Sequence, residues 1–273
     1  MVSVARIPQP RIGSFRFNDN GTITLTGRPN LCAALIFERE GALRTTELLE
    51  TYGTSDTFCS DLLRLHENYF AHNPSAADDE GDCRSEMAVK AIMRTVAHHF
   101  ISKEQRSGPF RAQFTDINPS NIIVDDDWNI TCLLDLGEVS ILPVEMLTLP
   151  FWLSGCSIAD LCGEGLTRFE PIRDLFMQKW ISEEKATSSG HELSESMSRM
   201  WQSQGVWFWE SLSSVNAAFY MVIDHLCPKF MLPFTTTTEE LFCRTFADNS
   251  DTIVRQKVED YTQYAAALKK MLQ

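Results

Sequence analysis

Three polar residues in one stretch of this chain have the types and spacing for metal-assisted chemistry on a phosphate: Asp116, Asn121 and Asp135. Asp116 and Asn121 are five apart in a Pro-containing loop. Asn121 opens a short apolar run, Ile122 to Val124, and Asp125, Asp126 and Asp127 turn the chain back. Ile130 to Leu134 forms a second apolar run, and Asp135 closes it, followed by Gly137. Short β-rich runs around a polar turn predict a hairpin. A hairpin sets its first and last residues side by side, so Asn121 and Asp135 converge and Asp116 reaches the same space from the loop. Two oxygen ligands and a neighbouring carboxylate suit Mg2+, which takes hard oxygen donors and shares its shell with substrate phosphates. The same residues also fit a plainer description as a polar turn, a hairpin turn and a capped loop.

In kinase-type phosphoryl transfer an Asp orients the attacking hydroxyl, an Asn five residues on binds metal, and a later Asp on a second loop completes the set. Asp116, Asn121 and Asp135 stand at that spacing. The stretch resembles the aminoglycoside phosphotransferase/choline kinase branch of the protein-kinase-like fold, which carries D-x-x-x-x-N, an apolar strand, acidic residues and then I-D-W or L-D-x. The flanking text, residues 108–116, Leu142 to Met146 and Pro150 to Leu153, looks like fungal members of that family. The resemblance is densest over 108–153 and extends across 6–273. Three positions depart from the family pattern: Phe114 and Asn118 stand where His is usual, and Leu136 where Trp is usual.

The resemblance implies an ATP- and Mg2+-dependent phosphotransferase acting on a small-molecule hydroxyl. Asp116 would be the catalytic base or hydroxyl-positioning residue, and Asn121 and Asp135 the metal ligands. The expected fold is α+β and mainly helical: the large C-terminal lobe of a kinase-like fold with short β-hairpins. Its parts are an entry segment and hairpin (1–30), helices (31–108), catalytic and metal-binding loops (109–143) and a helical subdomain (144–273).

A complete kinase-like enzyme also needs a Gly-rich turn over the phosphates and a strand Lys paired with a helix Glu. No GxGxxG occurs in the chain. Ala88 to Ile92 imitates the strand motif around Lys90, but Lys90 is 26 residues before Asp116 and lies in a helical stripe. The expectation is therefore a chain that starts just past the hinge, with the N-terminal lobe not present and catalysis weak or lost. The alternative is a non-catalytic, pseudokinase-type protein that binds a small ligand or a protein partner. Apolar Ile7, Phe15, Phe17 and Ile23 are then expected to be exposed.

The elements that must hold these residues are mostly helical by pattern. Ser14–Phe17 and Thr22–Leu25 around an Asn/Asp/Gly turn predict a hairpin. Residues 44–70 suggest two helices broken near Gly53, and Met87 to Ile101 an amphipathic helix. Ser157 could cap a helix to about Arg173 that Pro171 breaks. Residues 183–198 read as surface loop or helix edge, 200–227 as one buried Trp-rich helix, 239–246 as a capped helix and 250–272 as a final helix.

The 273 residues are 44% apolar, enough for one large core, and carry a net charge of −13. That charge argues against nucleic-acid and anionic membrane partners. Eight Cys without a CxxC, no signal-like N-terminus and no span-length apolar run predict a reduced, intracellular and cytoplasmic protein without a membrane segment.

Overall fold

The computed structural model describes residues 1–187 and 190–272. It is α+β and mainly helical. Among the described residues a curled antiparallel sheet of five strands and a separate two-stranded ribbon are set among eleven α-helices and several 3-10 turns. In chain order the first elements are α1 (Val2–Ala5), β1 (Pro8–Gln9), β2 (Gly13–Phe17), β3 (Ile23–Gly27) and α2 (Cys32–Arg39). Then come α3 (Ser55–His72), α4 (Glu80–Val96), β4 (Phe110–Phe114), β5 (Ile122–Val124), β6 (Ile130–Leu133) and β7 (Val139–Leu142). The C-terminal part holds α5 (Gly163–Thr187), α6 (Glu192–Gln202), α7 (Gly205–Ser213), α8 (Ala218–Met221), α9 (Cys227–Lys229), α10 (Thr236–Phe246) and α11 (Ser250–Met271).

The sheet order is β1-β4-β7-β2-β3, and β5 pairs only with β6. Both expected hairpins form, β2–β3 and β5–β6, and the first is built into the larger sheet. Two of the three inner strands, β4 and β7, were not expected as strands. Their alternation is hidden because both faces are covered: Phe110, Arg111, Ala112 and Gln113 are all buried. The polar members are partnered, the Arg111 Nε excepted. The Arg111 guanidinium donates to Arg6 O (3.1 Å) and Glu192 Oε1 (2.7 Å), and Gln113 Nε2 donates to Pro143 O (2.8 Å). Buried polar side chains with partners carry little penalty, so the strand tolerates them.

The helical core is centred on α4. Its N-cap Asp79 accepts the Asp82 N–H (2.8 Å), and Met87, Ala88, Val89, Ile92 and Met93 are all fully buried. It starts at Glu80 rather than Met87 and ends at Val96, where a 3-10 turn, Ala97–His99, takes over. Residues 44–70 do not make two helices. One helix, α3, starts after the Thr54 cap, while Tyr52 forms a two-way backbone bridge with Ile12 (2.9 Å each way). That bridge satisfies the backbone in extended form, and Leu48 and Leu49 face solvent instead of completing a stripe.

Pro171 does not break α5, which runs through it. Pro171 and Thr167, whose carbonyl loses its helical N–H partner, both lie on the exposed face, so the carbonyl stays hydrated. The described residues of 183–198 are largely helical, in α5 to Thr187 and α6 from Glu192, while 188 and 189 lie outside the described residues. The Glu184 carboxylate accepts the N–H groups of Leu193 (2.8 Å) and Ser194 (3.0 Å) and so caps α6. The Trp-rich segment is several short pieces rather than one helix. Ser214 Oγ accepts the Ala217 N–H (3.1 Å) at the break after α7, and a π-helical turn, Val222–Leu226, precedes Pro228. It is buried as expected: Trp207, Phe208, Trp209 and Leu212 are all inside. Both C-terminal helices form close to their expected bounds, α10 on a Thr235 cap.

The apolar residues expected at the surface are there, Phe17 at 81% exposure among them. Among the described residues no helix is long and apolar enough to cross a membrane.

The first turn of α5 packs closely on the 3-10 turn Ile158–Asp160. A Cβ on Gly165 would lie 2.0 Å from the Asp160 carbonyl oxygen, so backbone must move. Gly165→Ala is expected to lower stability by about 1–3 kcal/mol. Gly53→Ala, whose Cβ would meet nothing nearer than 3.9 Å, is expected to be close to neutral. Denaturant midpoints of the two variants check this; equal midpoints would count against the packing described.

Candidate functional site

The pairing of β4 with β7 creates the site. Their last register pair is Phe114↔Val139, and just beyond it the Thr115 N–H donates to Glu138 O (3.1 Å), as does the Thr115 hydroxyl. Asp116 leaves one strand where Glu138 enters the other. The loop from Asp116 then closes on itself. Asn118 caps a 3-10 turn, Pro119–Asn121, by accepting the Ser120 N–H (3.1 Å), and its Nδ2 lies 3.4 Å from Asp116 Oδ1. Asn121 Nδ2 donates to Asp116 O (3.1 Å), which engages its amide nitrogen and leaves its amide oxygen for another partner.

The ribbon returns the chain to this point. Ile122 pairs with Leu133, and Leu134 N donates to Asn121 O (2.8 Å). At the far end Asp125 Oδ1 accepts the Asp127 N–H (3.0 Å) and the Asn129 N–H (2.8 Å), which shapes the turn. Asp135 follows Leu134 with φ 51° and ψ 53°, in the left-handed region. Asp tolerates that region better than most residues, and such strain concentrates at functional positions.

Asp116, Asn121 and Asp135 line one narrow cleft, together with Phe114, Leu136 and Glu138. Its enclosed volume is about 10 Å3, near what a single water needs, so it has room for an ion but not for a nucleotide. Among the described residues no Lys or Arg lines it. The sequence carries none between Arg111 and Arg168.

Glu138 was not singled out from the sequence. Its Oε2 is buried without a hydrogen-bond partner. Burial, then the charges of Asp116 and Asp135, push its carboxyl above the usual range, and Arg39 opposes them. The available signal was a third acid three residues after Asp135. Trp152 was also missed. Its Nε1 donates to Ile117 O (2.7 Å) and pins the loop from the 150–154 turn. The start of α2 is tied to the same sheet, because Asn30 O accepts both the Thr115 hydroxyl (3.0 Å) and the Ser140 hydroxyl (3.1 Å). Cys32 consequently feels the site: burial, then Glu138 and Asp116, raise its thiol pKa.

Lys90 lies elsewhere. It is buried in α4, ion-paired with Glu86, and lines a different cavity. Of the departures from the family pattern, Phe114 lines the cleft, Asn118 holds Asp116, and Leu136 is half exposed.

Among the described residues no group of three His, Cys, Asp or Glu side chains is placed to hold a metal ion. The donor set is one amide oxygen and one carboxylate, with two further carboxylates adjacent. By residue type it would suit a hard cation that completes its shell with water and phosphate oxygens, not a closed protein cage.

No protein-family model, curated protein or solved structure matches this chain.

Proposed function

We propose that this chain is the large lobe of an aminoglycoside-phosphotransferase-like protein, built for ATP- and Mg2+-dependent phosphorylation of a small-molecule hydroxyl. The observation that carries the reading is the convergence of Asp116, Asn121 and Asp135 on one ion-sized cleft, from a loop and from both strands of a ribbon. In this reading the Asp116 carboxylate orients the acceptor hydroxyl and takes its proton. Its backbone carbonyl is tied to Asn121 and its carboxylate lies near Asn118. Asn121 and Asp135 hold Mg2+, which when bound neutralises charge on the transferring phosphate. Glu138, beside both Asp residues, adds negative charge that draws a divalent cation.

A second reading, non-catalytic ligand or partner binding, is favoured by a specific feature. The cleft is lined by acids without a basic residue, and Lys90 is committed to Glu86 in a separate cavity. The sequence has no GxGxxG, and among the described residues no Lys or Arg lines the cleft to meet the α- and β-phosphates.

Calorimetric titration with Mg2+, alone and with ADP, tests the shared premise. Mg2+ is expected to bind, and Asp135→Asn to weaken it by about tenfold or more, a change of about 1.4 kcal/mol. Binding that is absent, or indifferent to Asp135→Asn, would remove both the metal site and the phosphotransfer reading. Turnover assays then separate the two readings.

A further inference from the structure

A second cavity, of about 370 Å3, opens between α2, α3, α4 and the 215–220 segment, and it shares no lining residue with the Asp116 cleft. Its volume lies in the range of small-molecule sites, far above that of the metal-sized cleft. We propose that this cavity binds a small organic cation with an apolar body.

The walls supply the apolar part. Phe37 and Tyr69 pack at 4.3 Å between ring centroids, and Phe219 and Tyr220 meet edge to face at 5.6 Å. All four line the cavity, and Tyr220 is 48% exposed at its surface. Aromatic faces attract cations and repel anions, because the ring quadrupole puts negative charge on the face.

The charges point the same way. Lys90 is only 6% exposed, but its ammonium is ion-paired with Glu86 and lies 5.1 Å from the Phe70 ring centroid. It has no charge to spare for a ligand carboxylate. His66 is neutral, because burial lowers its pKa to about 4, and its Nε2 bonds Leu212 O (3.1 Å). Asp82 accepts the Asp78 N–H (3.1 Å), and the charges acting on it are carboxylates, Glu86 first, then Asp78 and Asp79. Partial desolvation and those neighbours raise its pKa although the residue is exposed at the cavity rim, and an ammonium there would offset the repulsion. The net unbalanced charge is therefore negative. Acids in a first helical turn are common for capping alone, which accounts for Asp79. Capping accounts neither for a Lys90 ammonium buried against a half-buried Glu86 in later turns nor for four aromatic side chains around open volume.

The test is calorimetry and thermal shift on the full chain with phenethylammonium and tetramethylammonium. 3-Phenylpropionate and 2-phenylethanol serve as the anionic and neutral counterparts. Phenethylammonium is expected to bind saturably with one site per chain, and the other two aromatic probes at least about tenfold more weakly. Asp82→Asn is expected to weaken the cation by about tenfold. Glu259→Gln, which removes one exposed acid from α11, is expected to leave it unchanged and so controls for net charge. Tyr220→Leu, at a half-exposed wall position on another element, provides a second variant should Asp82→Asn not fold, and is expected to weaken binding severalfold. Equal binding of cation and neutral probe, no saturable binding, or no loss in either folded cavity variant would overturn the proposal.

Discussion

Given ATP, Mg2+ and a panel of amino sugars, choline-like alcohols and sugar hydroxyls, the purified 273-residue chain is expected to transfer phosphate very slowly. The rate should lie more than about a thousandfold below that of a phosphotransferase with a complete phosphate clamp. Phosphoryl transfer asks little covalent chemistry of a protein and much positioning and charge stabilisation. Asp116, Asn121 and Asp135 can hold a metal and an acceptor hydroxyl. They cannot hold the α- and β-phosphates, which need backbone N–H groups from a Gly-rich turn and a Lys. Losing one preorganised donor costs on the order of 3–4 kcal/mol of transition-state stabilisation, and here a turn and a Lys are both lacking. The cleft of about 10 Å3 has no room to make up the difference. Asp116→Ala is expected to abolish whatever transfer remains. Robust turnover that disappears in Asp116→Ala would show that another part of this chain supplies the clamp.

Acid is expected to destabilise the fold through His66 before the carboxylates are fully protonated. His66 is 4% exposed, held between Phe37 (4.8 Å, edge to face) and the Leu212 carbonyl. Burial lowers its folded pKa to about 4, against an unfolded value near 6.5. A group with a depressed folded pKa contributes stability above its unfolded pKa and loses it as pH falls through the folded one. The window is therefore about pH 6.5 down to about 4, and the loss is on the order of 3 kcal/mol. His66→Gln is expected to cost stability at pH 7 but to shrink the gap from wild type as pH approaches 4. A gap of the same size at pH 7 and pH 4.5 in urea melts would contradict a neutral, buried imidazole.

Lys90, whose surroundings imitate the kinase strand motif, is paired with Glu86 at the His66 cavity rather than lying at Asp116. The proposed metal cleft and the proposed cation cavity share no lining residue, so single substitutions address them independently.

What the sequence by itself determined is local. Turn chemistry placed the hairpins: Asn and Asp side chains at 18–20 and 125–129 bond their own backbone a few residues on, so the turns need no distant partner. Threonine caps and apolar stripes likewise set α10 and α11. The meeting of Asn121 with Asp135 was legible for the same reason, since a hairpin of known turn position fixes which residues oppose each other. The tertiary structure decided what depends on contacts far apart in the chain. Strands β4 and β7 carry no alternating signal because both faces are covered, and only their pairing puts Glu138 against Asp116 and Asp135. The indole of Trp152 and the carbonyl of Asn30 anchor the loop and its sheet from positions that no local pattern marks. Pro171 stays inside a helix because its face is wet, and Tyr52 stays extended because Ile12 bridges it. In each case a distant contact or the side that meets water outweighed a local preference worth at most a few kcal/mol.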